Sequence, residues 1–285
     1  MQPCVEAPSW AQPKRRSTLA DVWSNVAGLD DETQERLAGV LETRGADPQQ
    51  QEMRHRFLAA IELSAAARVL EVGCGTGVLT RTLAQLAGVA SVVGVDLAPS
   101  LIEKARELAS GLPDVTFEVA DAASLPFAEA SFDVVVFDST LSHVPDSRRA
   151  VEEAFRVLRP AGVLAAFDGD YATATVAVRQ HDPLQTCVDA MLAGSVHDRF
   201  VLRQLPALAR ECGFQDTAYR SYGFAETGEG VYMLTVVDRG AEVLLADGVA
   251  GEDLVAALKA EARRRVEAGS FFGHIAYGSV TALKR

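Results

Sequence analysis

The sequence predicts an α/β protein built around a mostly parallel, doubly wound sheet. Three observations support that fold class. Short apolar segments rich in β-branched residues alternate with helical patterns between residues 68 and 167. A glycine-rich turn joins the first predicted strand to the helix that follows it. The chain has 285 residues, 48% of them hydrophobic, which is enough to bury the core of one large domain with appended helices.

The N-terminal part, residues 1–63, is predicted to be an arm and a helical lid. Residues 1–20 are rich in proline, glutamine and arginine and have no sustained period, which favours a mobile arm. Residues 21–63 follow a helical pattern. Within it, Asp47-Pro48 supplies an N-cap and a first-turn proline, so a second helix is expected to begin there.

The main domain, residues 64–285, begins with five predicted strands and three helices. The strands are short, apolar and β-branched, as expected for a parallel sheet that is covered on both faces. The predicted strands lie at 68–72, 91–95, 115–119, 133–137 and 162–167, with helices from 78, from 99 and near 147–158. In such a sheet, ligands bind beyond the carboxyl ends of the strands.

The pattern is less regular after Asp168. Two insertions are expected, at about 171–200 and 225–270, and the second contains a pair of helices. The remaining predicted elements are a helix that includes 202–208, a strand at 214–224, helices at 229–246 and 251–268, and a strand at 271–283.

Composition narrows the class of partner. The net charge of −12 disfavours nucleic acid, so a small-molecule partner is expected. No apolar run approaches the length of a membrane span and the N-terminus lacks a signal-peptide core, which predicts a cytoplasmic protein. The four cysteines show no pairing pattern, and no metal site is expected. The arm and the helices at 229–268 are candidate contact surfaces for a homo-oligomer.

The glycine-rich turn spans residues 73–77, between a strand and the start of a helix. Glycines at 73, 75 and 77 let a ligand lie against the backbone, and the helix that follows offers free N–H groups. Asp96 ends the second strand, where its carboxylate can accept hydrogen bonds from both hydroxyls of a ribose. Asp121 ends the third strand and is placed to meet an adenine amino group.

A nicotinamide dinucleotide is the alternative ligand for this turn. Its fingerprint is G-x-G-x-x-G, whereas the third glycine here comes one position early. Glu71 lies two residues before the turn, and its carboxylate would repel a pyrophosphate. A cationic or zwitterionic ligand is compatible with that acid.

Five motifs occur in order over about residues 66–170. They are Glu71-Val72-Gly73-Cys74-Gly75-Thr76-Gly77, Gly94-Val95-Asp96-Leu97-Ala98-Pro99, Val119-Ala120-Asp121-Ala122 with Leu125-Pro126-Phe127, Ser131-Phe132-Asp133-Val134-Val135, and Arg156-Val157-Leu158-Arg159-Pro160-Ala161-Gly162. With these motifs the sequence resembles the class I S-adenosylmethionine (SAM)-dependent methyltransferases. The likeness is greatest to the small-molecule branch, the ubiquinone/menaquinone-type C-methyltransferases and natural-product methyltransferases.

The resemblance implies a Rossmann-like methyltransferase fold of seven strands, the last antiparallel. It makes residues 64–285 the SAM-binding domain and implies S-adenosylmethionine as the cofactor. The cofactor-binding residues that it implies are Glu71, Gly73, Cys74, Gly75, Gly77, Asp96, Leu97, Asp121, Ala122 and Ser139.

The function expected is SAM-dependent methyl transfer to a small-molecule acceptor by in-line displacement. The acceptor pocket is expected to be formed by the insertion after the fifth strand and by Trp23, Met53, Arg54, Phe57, Tyr222 and Phe224. Where the acceptor must lose a proton, His143 and Asp168 are the predicted catalytic residues, because they follow the fourth and fifth strands. The competing interpretation of His143 is that it packs or orders the loop, and that of Asp168 is that it accepts hydrogen bonds from backbone N–H groups in a turn. An NAD-linked oxidoreductase and a non-catalytic SAM-binding protein are the alternative functions. Whether carbon, nitrogen or oxygen is methylated stays open.

Overall fold

The computed structural model describes residue 21 and residues 23–285, so the predicted arm at 1–20 lies outside the described residues. A short 3-10 helix, Trp23–Gly28, precedes the regular elements. The helices are α1 Asp31–Ala46, α2 Pro48–Leu58, α3 Val78–Leu83, α4 Pro99–Leu108, α5 Ser147–Val157, α6 Gln185–Ser195, α7 Val201–Glu211, α8 Tyr232–Ala246 and α9 Glu252–Glu267. The strands are β1 Ala67–Val72, β2 Val89–Asp96, β3 Val115–Val119, β4 Phe132–Asp138, β5 Leu158–Thr175, β6 Gln215–Gly228 and β7 Phe271–Leu283.

The seven strands form one sheet in the order β3-β2-β1-β4-β5-β7-β6. Strands β1 to β5 run parallel, and β7 runs antiparallel to both of its neighbours, β5 and β6. The order reverses between β1 and β4, which leaves a crevice at the carboxyl ends of these central strands. The predicted fold class, with its seven-stranded and mostly parallel sheet, is confirmed.

The central strands are apolar because helices cover both faces of the sheet. In β4, Val134 and Val136 belong to the core on one face, whereas Val135 and Phe137 belong to the core on the other. All four are at most 2% exposed. Alternate residues of a strand point to opposite faces, so only a continuous apolar run fills both cores.

Strand β5 extends beyond the segment that the sequence predicted. It continues to Thr175, and Asp170 pairs with Ala276 of β7. The residues after 167 lack a strand-like pattern, and it is pairing with a strand about a hundred positions later that keeps them extended. The insertion after β5 therefore begins at about residue 176 and contains α6.

Helices α6, α8 and α9 pack together beside the antiparallel part of the sheet. Helix α8 approaches α6 so closely at Gly240 that a Cβ there would overlap the carbonyl oxygen of Cys187. The insertion loop is tied to α9 by a buried ion pair, with Arg265 Nη1 2.8 Å from Asp182 Oδ2. Among the described residues, no helix combines the length and apolarity needed to cross a membrane.

Helices α1 and α2 lie over the carboxyl ends of the central strands. Asp30 and Asp47 cap their N-termini by accepting hydrogen bonds from backbone N–H groups, as the Asp47-Pro48 pattern predicted for α2. Helix α1 packs against α3 and α4, while Phe57 of α2 is fully buried in the core. These contacts place α1 above the glycine-rich turn.

Candidate active site

A cavity of about 270 Å³ lies between α1 and the carboxyl ends of β1, β2 and β4. Nine of the ten predicted cofactor-binding residues line it: Glu71, Gly73, Cys74, Gly75, Asp96, Leu97, Asp121, Ala122 and Ser139. Gly77 is the exception, because it is the residue at the N-cap of α3. The fold thus brings together side chains that are spread over almost 70 positions of the sequence.

The glycine-rich turn has a backbone that side chains would obstruct. Gly75 has a φ of +53°, in the left-handed region that favours glycine. A Cβ there would lie 2.7 Å from Leu41 Cδ1 of α1, too close for a real contact. The absence of a side chain at Gly75 therefore permits both the backbone conformation of the turn and the close approach of α1.

Asp96 is held rigidly at the edge of the cavity. Its Oδ2 accepts a hydrogen bond of 2.8 Å from the Gly75 N–H, and its Oδ1 accepts one of 3.0 Å from the Ala98 N–H. Burial raises the pKa of this carboxyl, and the backbone hydrogen bonds oppose that effect. Each oxygen keeps a further lone pair for a ligand hydroxyl.

Asp121, Ala122 and Leu97 form the opposite rim of the cavity. Asp121 is exposed, and its Oδ1 accepts a hydrogen bond of 2.8 Å from the Ala123 N–H. Leu97 is 52% exposed, an unusual fraction for a leucine beside a cavity. The apolar side chain of Leu97 and the carboxylate of Asp121 suit a flat ring that carries an amino group at its edge.

Glu71 lies below the turn and is 2% exposed. The pKa of Glu71 is raised to about 8. Burial is the main cause and the nearby Asp138 carboxylate adds to it, whereas the hydrogen bond that Thr80 Oγ1 donates to Glu71 lowers the pKa. Beside it, Arg54 Nε donates to Asp138 Oδ2 at 2.6 Å, while Arg54 Nη1 is buried without a hydrogen-bond partner. The floor of the cavity thus carries one unused donor and a carboxyl that is mostly protonated at neutral pH.

Arg44 is a site residue that the sequence alone did not reveal. It reaches from α1 into the cavity, and its Nη2 donates to Ser139 Oγ at 2.6 Å. Within the part of the chain that the structure describes, no carboxylate lies within 4 Å of its guanidinium group. An arginine near a helix end gives no local signal of such a role.

His143 lines the cavity on the loop after β4. Its Nδ1 lies 2.8 Å from Asp21 Oδ2. Its ring packs between Trp23 and Tyr171, with centroid distances of 6.2 and 6.1 Å. Asp21 is the second site residue that sequence reasoning missed, since it precedes His143 by 122 positions.

Asp168 occupies a different place from the one expected of a residue facing an acceptor. It is 2% exposed and does not line the cavity. Its oxygens accept hydrogen bonds from the Ser142 N–H and hydroxyl, at 3.1 and 3.0 Å, and burial raises its pKa. These contacts connect Asp168 to the loop that carries His143, and they keep its carboxylate outside the cavity.

The residues expected to form the acceptor pocket fall into two groups, those that line the cavity and those that are buried in the core. Trp23 and Arg54 line the cavity. Met53, Phe57, Tyr222 and Phe224, also expected there, are at most 6% exposed and belong to the hydrophobic core. Helical spacing shows which residues share a face, but packing decides whether that face meets a cavity or a core.

Solved structures with similar coordinates define the class of fold. The [4+2]-cyclase SpnF is 22% identical with a TM-score of 0.58, over 93% of this chain and 97% of SpnF. Phosphoethanolamine N-methyltransferase 2 from Haemonchus contortus, solved with phosphomonomethylethanolamine and S-adenosylhomocysteine, is 19% identical with a TM-score of 0.50, over 81% of this chain and 52% of that protein. The chain has the class I methyltransferase fold.

Sequence comparisons identify the domain within that fold. Residues 70–166 match the family described as "Methyltransferase domain". Methyltransferase GfsG from Streptomyces halstedii is 38% identical over 44% of this chain and 48% of its own length. Demethylmenaquinone methyltransferase from Tropheryma whipplei is 27% identical over 57% and 72%. The 27-O-demethylrifamycin SV methyltransferase of Amycolatopsis mediterranei is 39% identical over 40% and 42%. Residues 70–166 are thus similar to a methyltransferase domain, and the chain spans about half the length of GfsG and of the rifamycin enzyme.

Proposed function

We propose that this protein transfers a methyl group from S-adenosylmethionine to a small-molecule acceptor by in-line displacement. One arrangement carries the proposal: two strand-end carboxylates, Asp96 and Asp121, stand beside a glycine turn at the mouth of one cavity. Their placement suits the sugar and the base of an adenosyl group. The methyltransferase domain over residues 70–166 supports the same conclusion.

The residues of the cavity fit the cofactor. Asp96 would hold the ribose hydroxyls, and Asp121 with Ala122 would meet the adenine edge. Arg44 and the unused Nη1 of Arg54 could donate charge-assisted hydrogen bonds to the methionine carboxylate. Glu71 and Asp138 suit the cationic part of the ligand.

When bound, S-adenosylmethionine supplies an electrophilic methyl group and a neutral thioether as leaving group. The protein therefore needs no general acid for the leaving group. The side chains around the cavity orient the reactants, and α1 excludes water from above. We assign proton removal from the acceptor to His143, and positioning of the His143 loop to Asp168.

The other two functions gain no support from a matching family or relative. An NAD-linked oxidoreductase would place a pyrophosphate beside the carboxylate of Asp138, against its charge. The acidic chain favours a small-molecule acceptor over nucleic acid, and we propose a cytoplasmic location. A homo-oligomer stays a prediction, to be measured by light scattering.

Two measurements test the proposal. Calorimetric titration with S-adenosylhomocysteine and with NAD should show binding of the first and not of the second. A tritium-methyl transfer assay over a metabolite library should then show turnover by the full chain. Binding of NAD, or failure of S-adenosylmethionine to bind, would reject the proposed function.

A further inference from the structure

The hydrogen bond between His143 and Asp21 determines which nitrogen of the imidazole is free. Asp21 Oδ2 also accepts from the His197 N–H at 3.1 Å, and Oδ1 from the Trp23 N–H at 3.0 Å, so donors surround the carboxylate. An ionised carboxylate only accepts, and His143 Nδ1 must therefore carry the proton in the neutral imidazole. Nε2 then presents a lone pair.

The imidazole of His143 borders the cavity and keeps part of its surface exposed. His143 lines the cavity and its side chain is 13% exposed. None of the residues at 21 and 23–285 forms a hydrogen bond with Nε2. The Asp21 side chain, in contrast, is only 6% exposed. A buried carboxylate behind an imidazole with one open nitrogen is the arrangement of an oriented general base.

We infer that Asp21 and His143 form a proton-accepting dyad and that the methyl acceptor is an alcohol or phenol on an apolar body. This inference rests on the proposed methyl transfer and names its acceptor class. His143 is the catalytic residue, and Asp21 is the positioning residue. The N-terminal segment supplies Asp21, so the dyad is complete only while that segment is docked against the loop after β4.

The proton balance favours a hydroxyl group. The oxygen–methyl bond forms as the carbon–sulfur bond breaks, the hydroxyl proton moves to His143 Nε2, and the electron pair of the broken bond leaves on the thioether sulfur. Neutral amines and carboxylates already have a free lone pair and need no base before attack. An alcohol or phenol becomes a strong nucleophile only as its proton leaves.

The surroundings of His143 favour an apolar acceptor body. Its ring lies between the Trp23 and Tyr171 rings, and Val26 and Val144 line the same cavity. Among residues 21 and 23–285, the charged and titratable groups that face the imidazole are Asp21 from the N-terminal segment, and Asp168 and Tyr171 from β5. None of these is a cation that would attract an anionic acceptor to Nε2.

Nuclear magnetic resonance tests the dyad without an acceptor. Long-range ¹H–¹⁵N spectra of the full chain with S-adenosylhomocysteine should show His143 as the Nδ1-protonated tautomer, with the signal assigned by its loss in His143→Gln. Asp21→Asn should shift the tautomer equilibrium. His55→Gln removes an exposed histidine of α2 and should leave the His143 signals unchanged. An Nε2-protonated His143 in the wild type would overturn the inference.

Turnover tests the acceptor class. The panel contains apolar alcohols and phenols, each matched with the amine and the carboxylic acid of the same skeleton. We expect methylation at oxygen of hydroxyl members, a fall in kcat of about 10²- to 10⁴-fold in His143→Gln, and a smaller fall in Asp21→Asn. Affinity for S-adenosylhomocysteine should stay within threefold in both variants, and His55→Gln should retain wild-type kcat.

The pH profile separates a base from a merely structural histidine. For phenols, the His143→Gln rate should rise about tenfold per pH unit between 7 and 9, because phenolate formation replaces the missing base. Methylation of amines or carboxylic acids alone, or a His143→Gln rate within threefold of wild type, would reject the inference and leave the proposed function standing. Absence of S-adenosylmethionine binding would instead reject the proposed function itself.

Discussion

The glycine-turn region, residues 67–122, and the capping region, residues 21–58 with 176–268, are held together by different means, and the cavity lies between the glycine-turn region and residues 21–58. In the glycine-turn region, the hydrogen bond from Gly75 to Asp96 spans 21 positions and uses a backbone donor. The capping region contributes Asp21 to a contact with His143 that spans 122 positions, and Gln50 to one with Tyr277 that spans 227. Consecutive strand ends meet because of the sheet topology, whereas distant side chains meet only when helices dock.

The two regions also differ in how charge is buried. The glycine-turn region holds single carboxyls against backbone N–H groups, as at Asp96. The capping region uses opposite side chains, as at Asp182 and Arg265. A buried ion pair that loses one partner leaves an uncompensated charge, which is costlier than loss of a neutral hydrogen bond. Stability and cofactor affinity should therefore respond to mutation in different regions.

The largest effect is expected for Arg265→Met in the capping region. Asp182 would remain buried without its cation, which should lower the free energy of unfolding by about 3–5 kcal/mol in denaturant titrations. Arg263→Met on the same helix is the matched control, because its Asp238 pair is partly exposed and should contribute less than about 1 kcal/mol. Equal losses in the two variants would contradict the contrast between buried and exposed pairs.

Asp96→Ala should cause the largest loss of cofactor affinity. Each hydrogen bond to a charged acceptor is worth about 1.5–3 kcal/mol, so loss of two ribose contacts should weaken S-adenosylhomocysteine binding about 100-fold or more. Asp121→Ala removes one contact at an exposed position and should weaken binding about fivefold. Calorimetry on both variants ranks the two acids, and unchanged affinity in both would remove the basis for the adenosyl site.

Ionisation of Glu71 should make the stability of the protein and its affinity for S-adenosylmethionine depend on pH. Because burial raises its pKa from 4.5 to about 8, the folded ligand-free protein keeps a proton that the unfolded chain loses between these values. Stability present below pH 4.5 is therefore lost as the pH rises through about 8. A cationic ligand favours the ionised carboxyl, so affinity for S-adenosylmethionine should rise by up to about tenfold per unit between pH 6 and 8.

Glu71→Gln provides the control for this linkage. The amide does not titrate, so both the stability slope and the affinity slope assigned to Glu71 should disappear. Calorimetry in two buffers of different ionisation enthalpy should detect proton release on binding to the wild type and less release in the variant. A pH slope that survives in Glu71→Gln would assign it to another group.

A smaller effect than that of Asp96→Ala is expected for Arg44→Met, which tests whether α1 reaches the cofactor. Loss of one charge-assisted contact should weaken S-adenosylhomocysteine binding about tenfold, while Arg44→Lys keeps the charge and should recover part of it. If Arg44→Met binds as the wild type does, the methionine carboxylate must be held by Arg54 instead. That result would leave α2, through Arg54, as the part of the capping region that contacts the cofactor.

The parallel half of the fold could be predicted closely from local pattern. The predicted strand at 115–119 matches β3 residue for residue, and that at 133–137 falls within β4. The antiparallel half was harder: β7 at 271–283 was predicted in full, but the continuation of β5 past residue 167 was not. That continuation depends on pairing with β7, which no window of local sequence contains.

The residues of the candidate site likewise fall into those that local sequence could predict and those that it could not. The placement of Gly73, Gly75, Asp96 and Asp121 beside one cavity could be predicted because strand ends and spacing carry the signal. Asp21 and Arg44 could not, because each is an ordinary charged residue in a helical or capping context until α1 and the segment before it dock. Asp168 was correctly noticed as a polar residue after a strand, yet its oxygens turn toward Ser142 rather than the cavity.

The sequence by itself determined the order of strands and helices, the glycine turn and the carboxylates at the strand ends, since these follow from periodicity, backbone freedom and chain order. Only the tertiary structure decided which distant charges meet: Asp21 with His143, Arg44 with Ser139 and Asp182 with Arg265. The physical reason is that a strand end is positioned by its own ladder, whereas a side-chain pair between separate elements exists only after both have been packed against a common core.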